Sequence, residues 1–380
     1  MSIFIINCSN LKAGGGLQVA DSICRQLFKY KSHRFVVVLS KFLNKTAESI
    51  QKYENVEVCN YDIPNSFNSI VLGRDKYLDE LVKSKNVTAV LTVFGPSRWK
   101  PSVPHLSGFA LPQLVIPESP YFKRMDRMEK IKWRLWCKIR KWSLKRSADY
   151  FWTENEYITQ RLSDLIKTKE LTTVTNYYNQ VFDEPEKWIK SIKLPQFDGI
   201  TCLSVSTNST HKNFPITIEV IKKLFLNHPN FKVRFVFTFD VDEMPVPREL
   251  ASNFVFVGKV DVREVPYLYE QADIMFMPSL LECFTATYPE AMKMGVPIVT
   301  TDLEFARGLC GEAACYYSAV DASAAADAIY KVSTNKEYAQ QLIDNGKKQL
   351  ITYDNYEQRA SKLINMVEVI SKKYERDKCE

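Results

Sequence analysis

Two glutamates, Glu282 and Glu290, bracket the segment richest in chemical possibilities, Met277-Pro-Ser-Leu-Leu-Glu-Cys-Phe-Thr-Ala-Thr-Tyr-Pro-Glu-Ala-Met-Lys-Met-Gly-Val-Pro297. A strand ending near Pro278 places Glu282 in a loop at the C-terminal edge of a parallel sheet, where such folds bind ligands. Pro289 suits the first position of a helix, where its missing N–H costs nothing, so Glu290 falls in the first helical turn. Carboxylates accept from hydroxyls and backbone amides donate to phosphate, so the pair suits a ligand carrying both groups. The plainer alternative is a Glu290 that complements the helix dipole and a Glu282 on a loop surface.

Two further segments follow strands. In Val205-Ser-Thr-Asn-Ser-Thr-His211-Lys212-Asn213, Lys212 stands just before a helix and could meet a diphosphate as a point charge, or simply be a solvated helix start. In Ser9-Asn-Leu-Lys-Ala-Gly14-Gly15-Gly16, the glycines either let backbone approach an anion or form a flexible turn. The loop is not a Gly-x-Gly-x-x-Gly fingerprint, because position 19 is Val, nor a Walker loop, because no Gly-Lys-Ser/Thr follows.

The elements that must position these residues alternate along the chain. Short apolar runs at Ile3–Asn7, Phe35–Leu39, Ala89–Phe94, Tyr150–Thr153, Thr201–Val205, Val233–Phe239, Asp273–Pro278 and Pro297–Thr300 read as strands covered on both faces. Amphipathic stretches at Leu17–Tyr30, Phe214–Leu226 and Ala322–Val332 read as the intervening helices. With 380 residues, the chain is too long for one such sheet. The polar, turn-forming stretch Tyr177–Phe197 marks the seam, which gives a first domain over 1–180 and a second over 198–354. The last periodic segment, within 355–380, is a lone helix expected to pack back on the first domain.

Composition narrows the classes. No apolar run approaches the ~18 residues of a membrane span, and Ile3–Ile6 is too short for a signal-peptide core. Nine cysteines without a Cys-x-x-Cys pair, and only four histidines, argue against a zinc site or disulfide scaffold and fit a reducing cytoplasm.

The series Glu282-x7-Glu290 followed by Ala291-Met-x-x-Gly295-x-Pro297-Ile-Val resembles the pattern of family 4 glycosyltransferases, retaining enzymes of the two-domain GT-B fold. The resemblance extends to Gly14–Gly16, Ser147-Ala-Asp-Tyr-Phe-Trp-Thr-Glu, His211-Lys-Asn, Gly258-Lys-Val before a Tyr267–Ala272 helix, and Gly311-Glu-Ala-Ala-Cys-Tyr-Tyr. Phe94-Gly-Pro-Ser, Pro104-His-Leu-Ser-Gly-Phe-Ala-Leu-Pro and Pro117-Glu-Ser-Pro are similar to a bacterial surface-polysaccharide branch. The fold this implies is α/β: two Rossmann-like, doubly wound parallel-sheet domains with an interdomain cleft and a C-terminal crossover helix.

The resemblance also implies roles. Glu290 would hold the nucleotide ribose, while Glu282 and the amides of Cys283, Phe284 and Thr285 would hold donor-sugar hydroxyls. Lys212, beside His211, would neutralise the diphosphate, with Gly15 and Gly16 approaching it from the first domain. Glu282 and Lys212 are thus the candidate catalytic residues. A fixed cation and amides answer leaving-group charge without a metal or cofactor. Retention in the family is ascribed to front-face attack, so Glu282 is not assigned as a nucleophile. Where many members carry an arginine before the lysine, Val205–Thr210 has none. Gly108-Phe-Ala-Leu-Pro-Gln lacks the histidine many members place near the sugar, leaving His105 as a sugar contact or a packed loop residue, and Glu118 as a second candidate. Asn176-Tyr-Tyr-Asn stands where an Asn-Gly is usual. Asp240-Val-Asp242 looks like the metal-binding Asp-x-Asp of the other glycosyltransferase fold, but reads here as a solvated loop.

The implied activity moves a sugar from a UDP- or GDP-sugar to a glycan or polyprenyl-linked glycan, in O-antigen, capsule or other surface-polysaccharide (lipopolysaccharide) synthesis. The alternatives are a nucleotide-sugar epimerase of the same build, for which acid/base histidines are scarce, and a non-catalytic basic membrane- or RNA-binding module.

Charge adds a partner. Between Lys123 and Arg146 stand eleven Lys/Arg against two carboxylates, so this segment carries +9 of a net +7 and the rest of the chain is at −2. As a helix, its Met128, Ile131, Leu135, Ile139 and Trp142 form a stripe wide enough to bury on a core. Trp133 and Trp136, with Lys132 and Arg140 around them, would then face outward onto an anionic inner-leaflet surface. A plain solvated helix is the other reading. Nucleic acid is not expected, since no RNA-binding signature accompanies the basic residues. The resulting expectation is a cytoplasmic protein peripherally bound to the inner membrane face.

Overall fold

The apolar runs become the inner strands of two all-parallel sheets. The computed structural model describes residues 2–12, 14–167 and 169–379. They form two units, one of residues up to Pro117, 125–176 and from Asp354 onward, the other of 118–124 and 177–353.

The first unit holds seven strands: β1 (Ile3–Cys8), β2 (Arg34–Leu39), β3 (Val56–Asn60), β4 (Ala89–Thr92), β5 (His105–Gly108), β6 (Tyr150–Thr153) and β7 (Glu170–Thr173). Their order is β3-β2-β1-β4-β5-β6-β7. Side chains alternate along β1. Phe4, Ile6 and Cys8 enter one core layer, which includes Val19 and Ile23 of the Gly15–Cys24 helix, while Ile5 enters the other with Leu78 and Leu81 of the Lys76–Ser84 helix. Covering both faces removes any need for polar alternation, which is why these strands read as unbroken apolar runs. The terminal helix Tyr356–Cys379 belongs to this unit, with Leu363, Ile364, Val367 and Ile370 in the same layer as Phe4.

The second unit holds β8 (Ile200–Ser204), β9 (Val233–Phe237), β10 (Phe254–Phe256), β11 (Ile274–Met277), β12 (Ile298–Thr301) and β13 (Ala314–Tyr317), in the order β10-β9-β8-β11-β12-β13. Each sheet grows outward from its first strand in both directions. The reversal falls between β1 and β4 in one unit and between β8 and β11 in the other. At such a point adjacent connections diverge to opposite faces and open a crevice at the carboxyl ends of the strands.

Three expectations are corrected. The helix read over Leu17–Tyr30 is Gly15–Cys24 followed by a short 3-10 turn, Leu27–Lys29. His105, placed in a loop, lies in a strand between β4 and β6. The third concerns the basic segment, a 21-residue helix, Arg127–Ser147, started by a reciprocal Asp126/Glu129 capping box. It lies the other way round from the expected orientation. Met128, Ile131, Leu135, Ile139 and Trp142 are exposed, whereas Trp133, Trp136 and Arg140 are half-buried and only Lys132 of the four expected surface residues is open. The inward line is 133, 137, 140, 144 and 147, an alternative series of 4- and 3-residue steps. Its small members let the helix sit close: Ser147 is buried, as is neighbouring Ser143, and the Cys137 thiol reaches the Gln113 carbonyl at 3.8 Å.

Candidate functional site

In the second unit the loops after β8 and β11 leave the two strands that flank the reversal, and they are joined to each other. The Leu280 amide donates to the His211 carbonyl at 2.8 Å, and Thr301 Oγ1 holds the Ser279 carbonyl at 2.7 Å. The β8 loop turns sharply at Asn213, whose φ of 59° lies in the left-handed region that asparagine tolerates. This turn follows the single 3-10 turn Thr210–Lys212 and points Lys212 inward instead of out from a helix start.

Lys212 Nζ lies 2.5 Å from Glu282 Oε1, and each side chain is only 10% exposed. Ser279 Oγ donates to the same carboxylate oxygen at 2.7 Å, and His211 Nε2 stands 3.8 Å from it. Burial pulls the His211 pKa down against the opposing pull of Glu282, so its imidazole is neutral near pH 7. The lysine is thus a fixed, partly desolvated cation whose present partner is a carboxylate.

Glu290 is held separately. The helix after the β11 loop runs Thr287–Met294, beginning two residues before Pro289, so the proline occupies the third position and still lacks no needed donor. Glu290 is 5% exposed and Tyr269 Oη donates to its Oε2 at 3.3 Å. Burial pushes its pKa up to about 7 despite that bond. Between the two glutamates, Cys283 and Thr285 are buried, Thr285 Oγ1 lies 2.9 Å from Thr287 Oγ1, and the Phe284 ring stands edge-on to Tyr353 at 6.2 Å.

Sequence reasoning singled out Glu118 but missed Ser119, Tyr121 and Arg124, and missed that 118–124 groups with the second unit although the chain on both sides of it belongs to the first. Ser119 caps a short turn of helix and donates to the Leu280 carbonyl at 2.6 Å. Tyr121 Oη approaches Thr210 Oγ1 at 3.3 Å, and Arg124 Nη1 donates to Asn213 Oδ1 at 2.6 Å. Arg124 thus holds the left-handed turn that follows Lys212. Glu118 opens this segment and is exposed.

The remaining expected residues lie in the first unit. Gly15 and Gly16 begin its first helix at the β1/β4 reversal; a side chain at Gly15 would meet nothing within 4 Å, and one at Gly16 would touch Leu11 and Phe94 at 3.5 Å. His105 is 1% exposed, with Nε2 2.7 Å from Thr92 Oγ1 and Nδ1 on the Ser147 carbonyl. Both ring nitrogens are engaged inside the core, so of its two readings packing is the one realised. In the second unit, the Asp240 carboxylate caps the turn Val241–Glu243, as a solvated loop residue would.

Residues 186–349 match the family model described as glycosyl transferases group 1. An uncharacterized glycosyltransferase of Haemophilus influenzae is 22% identical over 307 residues, covering 79% of each chain. Among solved structures, a glycosyltransferase from Rickettsia africae aligns with a TM-score of 0.68 at 15% identity, over 97% of this chain and 98% of its own. An Anabaena protein solved in complex with UDP and glucose aligns with a TM-score of 0.65 at 12% identity, over 97% and 100%. Both alignments span the two sheets and identify the fold as GT-B.

Proposed function

We propose that the protein, whose residues 186–349 match the group 1 glycosyl transferase model, moves a sugar, with retention and without a metal, from a UDP- or GDP-sugar to a glycan or polyprenyl-linked glycan. The setting is surface-polysaccharide synthesis at the inner face of the cytoplasmic membrane.

The observation that carries this reading is the buried Lys212–Glu282 pair at the β8/β11 reversal. Transfer of a glycosyl group leaves negative charge on the departing diphosphate, and a desolvated ammonium held in place stabilises that charge without reorganising. Glu282, already engaged by Lys212 and Ser279, acts as an acceptor for sugar hydroxyls and not as a nucleophile. Glu290 accepts from the ribose hydroxyls, its carboxylate aimed by Tyr269. The amides of Cys283, Phe284 and Thr285 complete the set of donors. His211 is a neutral neighbour that orients the group around Glu282.

The Anabaena neighbour's UDP makes UDP the first probe. Calorimetric titration with UDP, GDP and dTDP, in chelator, is expected to give binding of one nucleotide that is lost in Glu290→Ala while the melting temperature stays close to the parent's. Failure of all three nucleotides to bind the parent protein would reject the donor pocket.

A further inference from the structure

We propose that the first unit docks on an anionic lipid bilayer through the outer stripe of the Arg127–Ser147 helix, extended by Phe67, Ile70 and Leu72. This rests on the membrane-surface setting given above, and not on the transfer chemistry.

The stripe is apolar and open. Met128, Ile131, Leu135, Ile139 and Trp142 are 60%, 52%, 60%, 48% and 48% exposed, at steps of three and four residues. At 100° per residue they occupy about 80° of the helix circumference. The opposite face is already committed to the first unit through Cys137, Leu144 and Ser147, so the open stripe is not a core surface awaiting this chain's own side chains. Phe67, at 70% exposure, with Ile70 and Leu72 adds a second apolar edge. The two edges are neighbours: Arg146 Nη2 reaches the Ile70 carbonyl at 3.5 Å, and a Cβ on Gly73 would come within 2.9 Å of the same guanidinium.

Charge selects the occupant. The helix carries nine Lys/Arg and one acidic residue, Glu129, which is tied into the capping box at the first turn. Lys132 borders the stripe on one side, and Arg127, Lys138 and Lys145 border it on the other. Arg146 lies over the Trp142 ring at 4.1 Å, pairing a cation with an aromatic at the edge of the patch. Nucleic acid would leave the leucine and isoleucines in water, and an apolar protein groove would desolvate the flanking lysines. A bilayer takes both, with apolar side chains among the acyl chains and lysine stems extended to the phosphates.

The test is flotation of the full chain with phosphatidylcholine vesicles, with and without phosphatidylglycerol. The parent protein is expected to float only with the anionic vesicles and to be released by salt, each cation at the surface being worth roughly fivefold in partition. The double variant Ile131→Glu/Leu135→Glu should partition at least about tenfold less. Its melting temperature should be unchanged, because both positions are open. Leu226→Glu, at a 72%-exposed apolar position of the second unit, should float like the parent. A parent protein that floats with neither vesicle overturns the membrane setting and this surface together. Equal flotation of parent and double variant overturns the surface alone. A parent dimer that the double variant dissociates in sedimentation velocity would assign the stripe to a second copy and overturn the lipid assignment.

Discussion

Lys212 and Glu282 compensate each other's charge in an environment where each side chain is only 10% exposed. Removing one member leaves the other buried without a counter-ion, which is costlier than removing both. Lys212→Met should therefore destabilise the second unit by about 3 kcal/mol, and the double variant Lys212→Met/Glu282→Gln by clearly less than the sum of its single changes. Urea denaturation of the four proteins gives the coupling directly; a coupling near zero would mean the pair is solvated. Both residues were legible as candidates because a lysine and a glutamate each followed an apolar strand. Their contact was not legible, because it depends on the left-handed turn at Asn213 and on the Leu280–His211 link between two loops. Tyr121 and Arg124 were less legible still. They lie 89 positions before their partners Thr210 and Asn213, and nothing periodic in the sequence connects them.

Among the elements, strands buried on both faces announced themselves. Phe35–Leu39 is a continuous apolar run whose residues are buried, and Val233–Phe237 is one but for Arg234, which is buried as well. Strands with polar residues did not: Glu170-Leu-Thr-Thr lies at a sheet edge, and His105-Leu-Ser-Gly lies inside one. The interior position of β5 is possible because its polar groups find partners and because Gly108 has no side chain. A Cβ there would stand 1.9 Å from the Val93 carbonyl and 2.8 Å from the Trp152 ring, where backbone cannot yield. Gly108→Ala should thus cost about 3 kcal/mol or more, by forcing β5 away from its neighbours. Thermal unfolding of the variant reads this, and a loss under about 1 kcal/mol would mean that β5 is not seated as described. The basic helix shows a different limit of sequence reading. It offers two series at helical spacing, and periodicity alone ranks the wholly apolar one, Met128 to Trp142, as the buried face. Close packing instead favoured the series with Cys137 and Ser147, which left the wholly apolar stripe outside.

At the scale of the whole molecule, two parallel sheets were readable from the alternation of elements, while the balance of buried titratable groups was not, since it depends on burial and on partners brought together only by folding. Two buried groups of the first unit, an acid and a base, have opposite consequences. Burial pushes the Glu154 pKa from 4.5 up to about 7, against the pull of Arg359, and pulls the His105 pKa from 6.5 down to about 4. Glu154 favours the fold while protonated, so its contribution is fully present below pH 4.5 and is lost as pH rises to about 7. His105 favours the fold while neutral, so its contribution is fully present above pH 6.5 and is lost as pH falls toward 4. In the overlap, from 4.5 to 6.5, the folded state gains a proton on one group and lacks it on the other, and the two slopes cancel. Each single substitution should expose the partner's slope, about 1.4 kcal/mol per pH unit. Relative to the parent, Glu154→Gln should grow steadily more stable as pH rises through this window. His105→Gln should grow steadily less stable over the same range. Urea midpoints of the three proteins, measured at half-unit steps of pH, decide the matter. Parallel profiles for parent and variants would show that neither group is buried in the charge state its surroundings dictate.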